Sequence, residues 1–403
     1  MHPMPIVSVV SPPVPAAPAV LPNAPVAGLG GSPRVAEAVA RARGGERLTY
    51  DEGFLLFREA TLLEAGTAAD AVRRRTHPAH RVTYQIDRNV NYTNVCIYRC
   101  AFCAFYRPAG DAEGYVLPLE EIGRKVEETI ALGGTGILLQ GGVHAELPFS
   151  YYEDVLSFLR EKYPRVHRHA FSAPEIYFLA KKERTSIADV LARLKKAGLQ
   201  SVPGGGAEIL EDEVRKRIWA LTKAPTEKWV EVHREAHRLG MPTTATMMFG
   251  VGETHEQRLH HFDVVRRAQD ASLAEGVESF TAFIPWTFQD ENTAMDGTVE
   301  TAGGYDYLRT LAIARLYLDN VPHLQGSWLT QGAKIGSVAM SFGADDLGSI
   351  MIEENVVAAA GSHNKMGEPA MLRLIRDAGF TPVKRGSVYE RCGEACCRDL
   401  PAI

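Results

Sequence analysis

Three cysteines, Cys96, Cys100 and Cys103, stand at a C-x3-C-x2-C spacing in the run NYTNVCIYRCAFCAFYR, residues 91–107. Thiolates are soft ligands and suit zinc or iron–sulfur clusters. A structural zinc site asks for four protein ligands in paired knuckles. No fourth cysteine or histidine follows closely here. Three thiolates on a four-iron cluster leave one iron open, which is what a reactive metal centre needs. The triad therefore points to a [4Fe–4S] cluster, with Cys96, Cys100 and Cys103 as its metal ligands. Phe102, Phe105 and Tyr106 would shield it and offer a flat surface to a nucleobase. The alternative is a zinc-bound loop or a plain cytosolic cysteine cluster.

Other candidates cluster after short apolar runs. Gly141, Gly142 and His144 lie in QGGVH, where glycines let backbone carbonyls approach a ligand. His144 is a substrate contact or base, or else an ordinary loop histidine. His169, Ser172 and Glu175 lie in HAFSAPEI. Ser172 and Glu175 could bind ribose hydroxyls, or could cap a helix. Gly204, Gly205, Gly206 and Glu208 lie in PGGGAEIL, where exposed N–H groups suit a carboxylate or a cofactor. Glu208 is a candidate base. Thr246 sits on the alternating polar face of TTATMM, and Trp286 and Gln289 lie in FIPWTFQDENT, where aromatics could stack on an aryl substrate. Cys392, Cys396 and Cys397 in RCGEACC form a second metal or redox group, or an exposed tail.

These residues must be positioned by a scaffold, and its rhythm is legible. Leu119, Ile122, Val126 and Ile130 share one helical face over 118–132, and Gly133 stops that helix. GILLQ at 136–140 reads as a strand. A helix from Ser186 ends at Gly198, before a strand over 199–202. A helix through Trp229, Val232, Ala236 and Leu239 precedes a strand over 243–249. Thr254 and Gln257 form a capping box, and SFTAFI at 279–284 is another strand. An earlier strand, VTYQI, covers 82–86. Alternating strands and helices imply parallel βαβ units and a barrel, complete or partial, with its chemistry where strands end.

The 403 residues are 45% hydrophobic and 23% charged, which fits a globular protein. A net charge of −5 gives no electrostatic case for nucleic-acid binding. No apolar run reaches membrane-spanning length. The first 35 residues are rich in Pro, Ala and Val and lack a signal peptide's basic start, so they read as a disordered extension. Localisation reads as cytoplasmic, with no membrane or nucleic-acid partner.

The cysteine triad resembles that of the radical S-adenosylmethionine (SAM) superfamily. That resemblance implies SAM as cosubstrate, bound through its methionine to the open iron and cleaved to a 5′-deoxyadenosyl radical. It implies that Gly141 and Gly142 contact the SAM amino group; by residue type, Phe102, Tyr106, Ser172 and Glu175 are the further candidate cofactor contacts. The runs DRNVNYTNVC, CAFYR, ETIALGGTGILLQGG, SVPGGGAEIL, EAHRLGMPTTATMMFG and FTAFIPWTFQDENT, spread over about residues 50–385, are similar to the cyclic dehypoxanthine futalosine synthase family. The sister family, the aminofutalosine synthases, reads SNATM and FIPLAFHP where this chain has TTATM and FIPWTFQD. Asp290 and the VGET turn depart from the synthase pattern.

The resemblance implies a nucleoside-benzoate substrate in menaquinone biosynthesis, and an electron donor such as flavodoxin or ferredoxin. It implies removal of the C4′ hydrogen of the ribose, then ring closure onto the benzoate. His144, His169 and Glu208 are the catalytic candidates for taking the ring proton. Gly205, Gly206, Thr246, Trp286 and Gln289 are the substrate-side candidates. The fold expected is α/β: a radical SAM (β/α) barrel, partial or complete and TIM-like, with helical N-terminal and α/β C-terminal additions. The boundaries drawn are 1–35 for the extension, 36–80 for a helical segment, 81–330 for the barrel, 331–390 for an α/β extension packed on it and 391–403 for a cysteine-bearing tail. A non-catalytic iron–sulfur or zinc scaffold is the alternative of another class.

Overall fold

The computed structural model describes residues 32–77 and 80–389. The expectations for most of the N-terminal extension, and for Cys392, Cys396 and Cys397, lie outside the described residues.

Among the described residues nine strands form the interior. β1 (Arg81–Gln85) and β2 (Asp87–Val90) are separated only by Ile86. β3 (Gly136–Leu139), β4 (His167–Ala170), β5 (Thr243–Phe249), β6 (Phe280–Thr287), β7 (His323–Leu324), β8 (Asp346–Ser349) and β9 (Thr381–Lys384) follow. They make three parallel sheets, in the orders β8-β1-β9, β2-β3-β4 and β5-β6-β7. Single bridges join the sheets: His169 with Ser201, Val202 with Thr243, and Gln325 with Asp346. Because β1 runs on into β2, the pairing travels once round a ring. The expected strand at 199–202 is thus reduced to two bridging residues. It is pinched between Gly198, at φ 137°, and the Pro203–Gly206 turn.

The C-terminal segment is woven into this ring. β8 pairs with β1, and its continuation runs beside β2, where Ile352 N–H donates to the Asp87 carbonyl at 3.2 Å. The boundary drawn at 330 therefore falls inside the sheet system, and β8 and β9 beyond it help to wall the barrel. Sequence pattern hid this, since β8 reads DLGS and has no strand-like alternation.

Helices cover the outside for identifiable reasons. In Ile187–Ala197 the Ser186 hydroxyl accepts from Asp189 N–H, and Ile187, Val190, Leu191 and Leu194 are buried. His255–Glu275 begins at the Thr254–Gln257 capping box. Three helices, Pro33–Gly44, Tyr50–Glu59 and Leu62–Thr76, form the N-terminal part. The third lies along Gly304–Tyr317, whose residues from Tyr307 to Tyr317 are all buried. A helix wrapped on all sides reads as apolar all round, so its pattern carries no clear stripe.

The lower rim of the ring is locked by charge. Asp345, just before β8, pairs with Arg315 and accepts from His323 Nδ1 at 2.6 Å. His77 Nε2 meets the Pro322 carbonyl at 2.8 Å. Among the described residues no helix is long and apolar enough to cross a membrane.

Candidate active site

The loop after β2 carries the cysteines, and it is built from its own polar residues. Asn94 Nδ2 donates to the Glu113 carbonyl at 2.9 Å, and its Oδ1 accepts from Tyr115 N–H at 2.9 Å. Arg107 N–H donates to the Asn94 carbonyl at 2.8 Å, and Cys96 N–H to the Arg107 carbonyl at 2.9 Å. The Arg107 guanidinium gathers the Ala104 and Tyr106 carbonyls at 3.2 and 3.0 Å. The loop thus folds back on itself and holds three cysteines in fixed positions.

Two glycines let it dock. A Cβ on Gly142 would lie 2.3 Å from the Val95 carbonyl oxygen, and one on Gly141 would lie 2.8 Å from the Tyr92 ring. Next to them, Val143 N–H donates to Cys96 Sγ at 3.3 Å. The glycine pair is required by close approach of the cysteine loop to the turn after β3.

Cys100 is buried, and Cys96 and Cys103 are half-buried. Burial pushes the Cys100 thiol up to about 12, and raises Cys96 and Cys103 as well. Such thiols hold their protons at neutral pH unless a metal displaces them. A single tetrahedral ion would draw its sulfur ligands to about 3.8 Å from one another. Among the described residues only His77, His323 and Asp345 group within 4.8 Å, and the thiols do not. Wider spacing and a three-thiol set fit a polynuclear cluster and disfavour one zinc ion.

Glu208 faces the triad from the glycine-rich turn. It has φ 41°, in the left-handed region. Its carboxylate is held by Lys223 at 2.8 Å and Arg215 at 3.4 Å. Lys223 lies 5.0 Å above the Phe102 ring, between two of the cysteines in sequence. Burial works to lower the Lys223 pKa, but Cys100 and Glu208 outweigh it and the net shift is upward. Glu208 therefore anchors a buried ammonium near the thiols.

A cavity of about 270 Å³ fills the barrel. Its lining includes His169, Gly205, Gly206, Glu208, Thr246 and Trp286 from the sequence reading. His169 Nδ1 meets the Ser201 hydroxyl at 2.6 Å, and burial drops its pKa to about 3. It is neutral and a weak proton acceptor. Thr246 Oγ1 donates to the Gly204 carbonyl at 2.7 Å, and so shapes the triple-glycine turn. Tyr106 lines a separate cavity of about 260 Å³ beside Cys100 and Cys103.

Other candidates lie off the main cavity's lining. His144 Nδ1 accepts from Glu146 N–H at 3.1 Å. Gln289 Nε2 donates to the Phe288 carbonyl at 2.9 Å. Ser172 and Glu175 form a capping box, and Glu175 also accepts from the Tyr92 hydroxyl at 2.6 Å and from Gly141 N–H at 3.3 Å. Glu175 is buried, so it braces the glycine turn from behind.

The sequence reading passed over a column of polar side chains: Gln85, Asp87, Asn89 and Asn91. The first three line the cavity. The signal was there, in polar residues at every second position of QIDRNVN, alternating with Ile86, Arg88 and Val90.

Comparison with known proteins agrees with this geometry. The model of the radical SAM superfamily matches residues 90–265, and that of the CofH/MqnC C-terminal region matches residues 277–395. A cyclic dehypoxanthine futalosine synthase of Halalkalibacterium halodurans is 45% identical over 87% of this chain and 93% of its own. An aminodeoxyfutalosine synthase of Thermus thermophilus is 38% identical, over 89% and 95% respectively. The chain belongs to the radical SAM superfamily. The crystal structure of HydG, a maturase of the [FeFe]-hydrogenase, shares the fold at TM-score 0.70 and 14% identity, over 89% of this chain and 77% of that one. A radical SAM enzyme uses a [4Fe–4S] cluster and SAM, and the wide three-thiol site suits that cluster.

Proposed function

We propose that the chain is a cyclic dehypoxanthine futalosine synthase, acting on dehypoxanthine futalosine in menaquinone biosynthesis. The observation that carries this reading is 45% identity to the Halalkalibacterium halodurans synthase across nearly the whole of both chains. The TTATM and FIPWTFQD runs, which line or follow β5 and β6, support the synthase over its sister.

Cys96, Cys100 and Cys103 would hold the cluster, and Gly141 and Gly142 would contact the SAM amino group. Together the cluster and SAM would supply, on reduction, a 5′-deoxyadenosyl radical. The protein's own task is positional. It holds the C4′ carbon of the ribose close to the aryl ring, so that ring closure needs little further motion. The barrel wall excludes water from the carbon radical. Trp286 and Ile284 offer the aryl group an apolar surface, and Gly205 and Gly206 line the same cavity. His144, His169 and Glu208 remain the candidates to take the ring proton. Glu208 is bound to two cations, and His169 is a weak acceptor. A flavodoxin or ferredoxin supplies the electron, and the enzyme works in the cytoplasm without a nucleic-acid partner.

The test is anaerobic turnover of reconstituted, reduced protein with SAM. With dehypoxanthine futalosine the expected result is one free 5′-deoxyadenosine per cyclic product. Incorporation of the adenosyl group into an enolpyruvyl benzoate would instead make it the sister synthase. Absence of 5′-deoxyadenosine with every substrate would leave only a scaffold role.

A further inference from the structure

The cavity has a polar floor whose hydrogen bonds can be counted. Asp87 is the first residue of β2 and lies level with Gly136 and His167, the first residues of β3 and β4. It is 7% exposed and lines the cavity. Its Oδ2 accepts from Gln85 Nε2 at 2.7 Å. Its Oδ1 has no partner.

The neighbours are committed. Asn89 Nδ2 donates to Glu354 at 2.8 Å, and Asn91 Oδ1 accepts from Asn355 at 3.1 Å. Among the described residues the cavity's lining includes one arginine or lysine, Arg385. A guanidinium has five N–H donors. Those of Arg385 go to both oxygens of Asp346, the Gln85 side-chain oxygen, the Gly386 carbonyl and the Tyr389 hydroxyl. No donor is left for a ligand's carboxylate. Of the fully buried side-chain polar atoms that line the cavity among the described residues, Asp87 Oδ1 alone lacks a partner, and it is an acceptor.

The substrate of the proposed reaction has an asymmetric chemistry. Its benzoate carboxylate and its carbonyl only accept hydrogen bonds, whereas its sugar hydroxyls can donate. A carboxylate oxygen held away from water is costly to leave unmatched. We propose that Asp87 is the sugar anchor of this site, accepting an O–H of the ribose through its free oxygen. Gln85 is the positioning residue, because it ties Asp87 to the immobile Arg385. This assignment rests on the functional reading above.

The experiment compares wild type with Asp87→Asn, using dehypoxanthine futalosine and its analogues lacking single ribose hydroxyls. Asn keeps an oxygen for Gln85 but turns an NH2 toward the cavity. Loss of a hydrogen bond to a charged group predicts a rise in KM of about 10- to 100-fold. One deoxy analogue should lose a similar factor with wild type and little more with Asp87→Asn, since the two changes remove the same bond. Gln85→Met, which frees the carboxylate to rotate, should give a smaller rise in KM and guards against misfolding of the first variant. Equal penalties for every analogue in both proteins, or an unchanged KM, would overturn the assignment alone. A wild-type enzyme inert toward this substrate would overturn the functional reading and the anchor with it.

Discussion

The mouth and the floor of this barrel are built on opposite plans. At the mouth, three cysteines stand on a loop with no bond between them, and Glu208 holds the Lys223 ammonium close by. At the floor, Asp346, Arg385, Gln85 and Tyr389 consume one another's hydrogen bonds, and a single oxygen of Asp87 is left over. The mouth is a place for a cofactor that arrives with its own chemistry. The floor is a rigid frame that leaves one choice to a ligand. The difference teaches that reactivity and recognition are separated here along the barrel axis, by the length of its strands.

The largest test strikes the mouth. Cys100→Ser should abolish cluster assembly and turnover, read as iron and sulfide content and as loss of the reduced protein's EPR signal. The folded barrel should persist, since the thiol makes no structural bond. At the floor, Arg385→Met should cost stability instead, about 3–5 kcal/mol, because it strands the buried Asp346 carboxylate. Chemical denaturation would measure it. If either variant showed the other's phenotype, the division between the two ends would fail.

Asp87→Asn should separate function from stability. Burial lifts Asp87 from 3.8 to about 6, while Ser349 and Arg385 lower it and Glu354 and Asp346 raise it. An acid whose pKa is raised on folding destabilises the protein once it is ionised in both states. That penalty is full above pH 6 and fades as pH falls from 6 toward 4. The shift corresponds to about 3 kcal/mol. The Asn variant should therefore be more stable than wild type at pH 8, and the gap should close by pH 4, as read by unfolding at each pH. The smallest effect is expected where the cysteine loop docks on the turn after β3. Gly142→Ala should cost about 1–3 kcal/mol through the clash with Val95, and should lower iron occupancy in proportion.

The mouth was legible in the sequence because its information is local. Ligand spacing, the glycine pair and the strand at Thr243–Phe249 all lie in short runs, and the Thr254 capping box is fixed by four consecutive residues. The floor was not legible. Asp346 and Arg385 are 39 residues apart, and Gln85 is 300 residues from Arg385. Only the ring closure through β8 and β9 brings them together. β7 has two residues, too few for any pattern. Ser172 and Glu175 fitted a cap or a ligand site equally well by type. In the fold the cap takes both, because the Tyr92 hydroxyl and the Gly141 amide approach from the other side.

The run from β1 into β2 carries the floor's free oxygen at one end and leads directly into the cysteine loop at the other. It acts as a gauge: the reach from anchored ligand to metal is written into the count of residues between Asp87 and Cys96. Removing two residues from β2 would leave each remaining side chain on its own face, yet shorten that reach by about 7 Å, more than a carbon–hydrogen bond awaiting attack could tolerate. Relatives that process longer or shorter molecules would have to change the far wall of the barrel and keep this length.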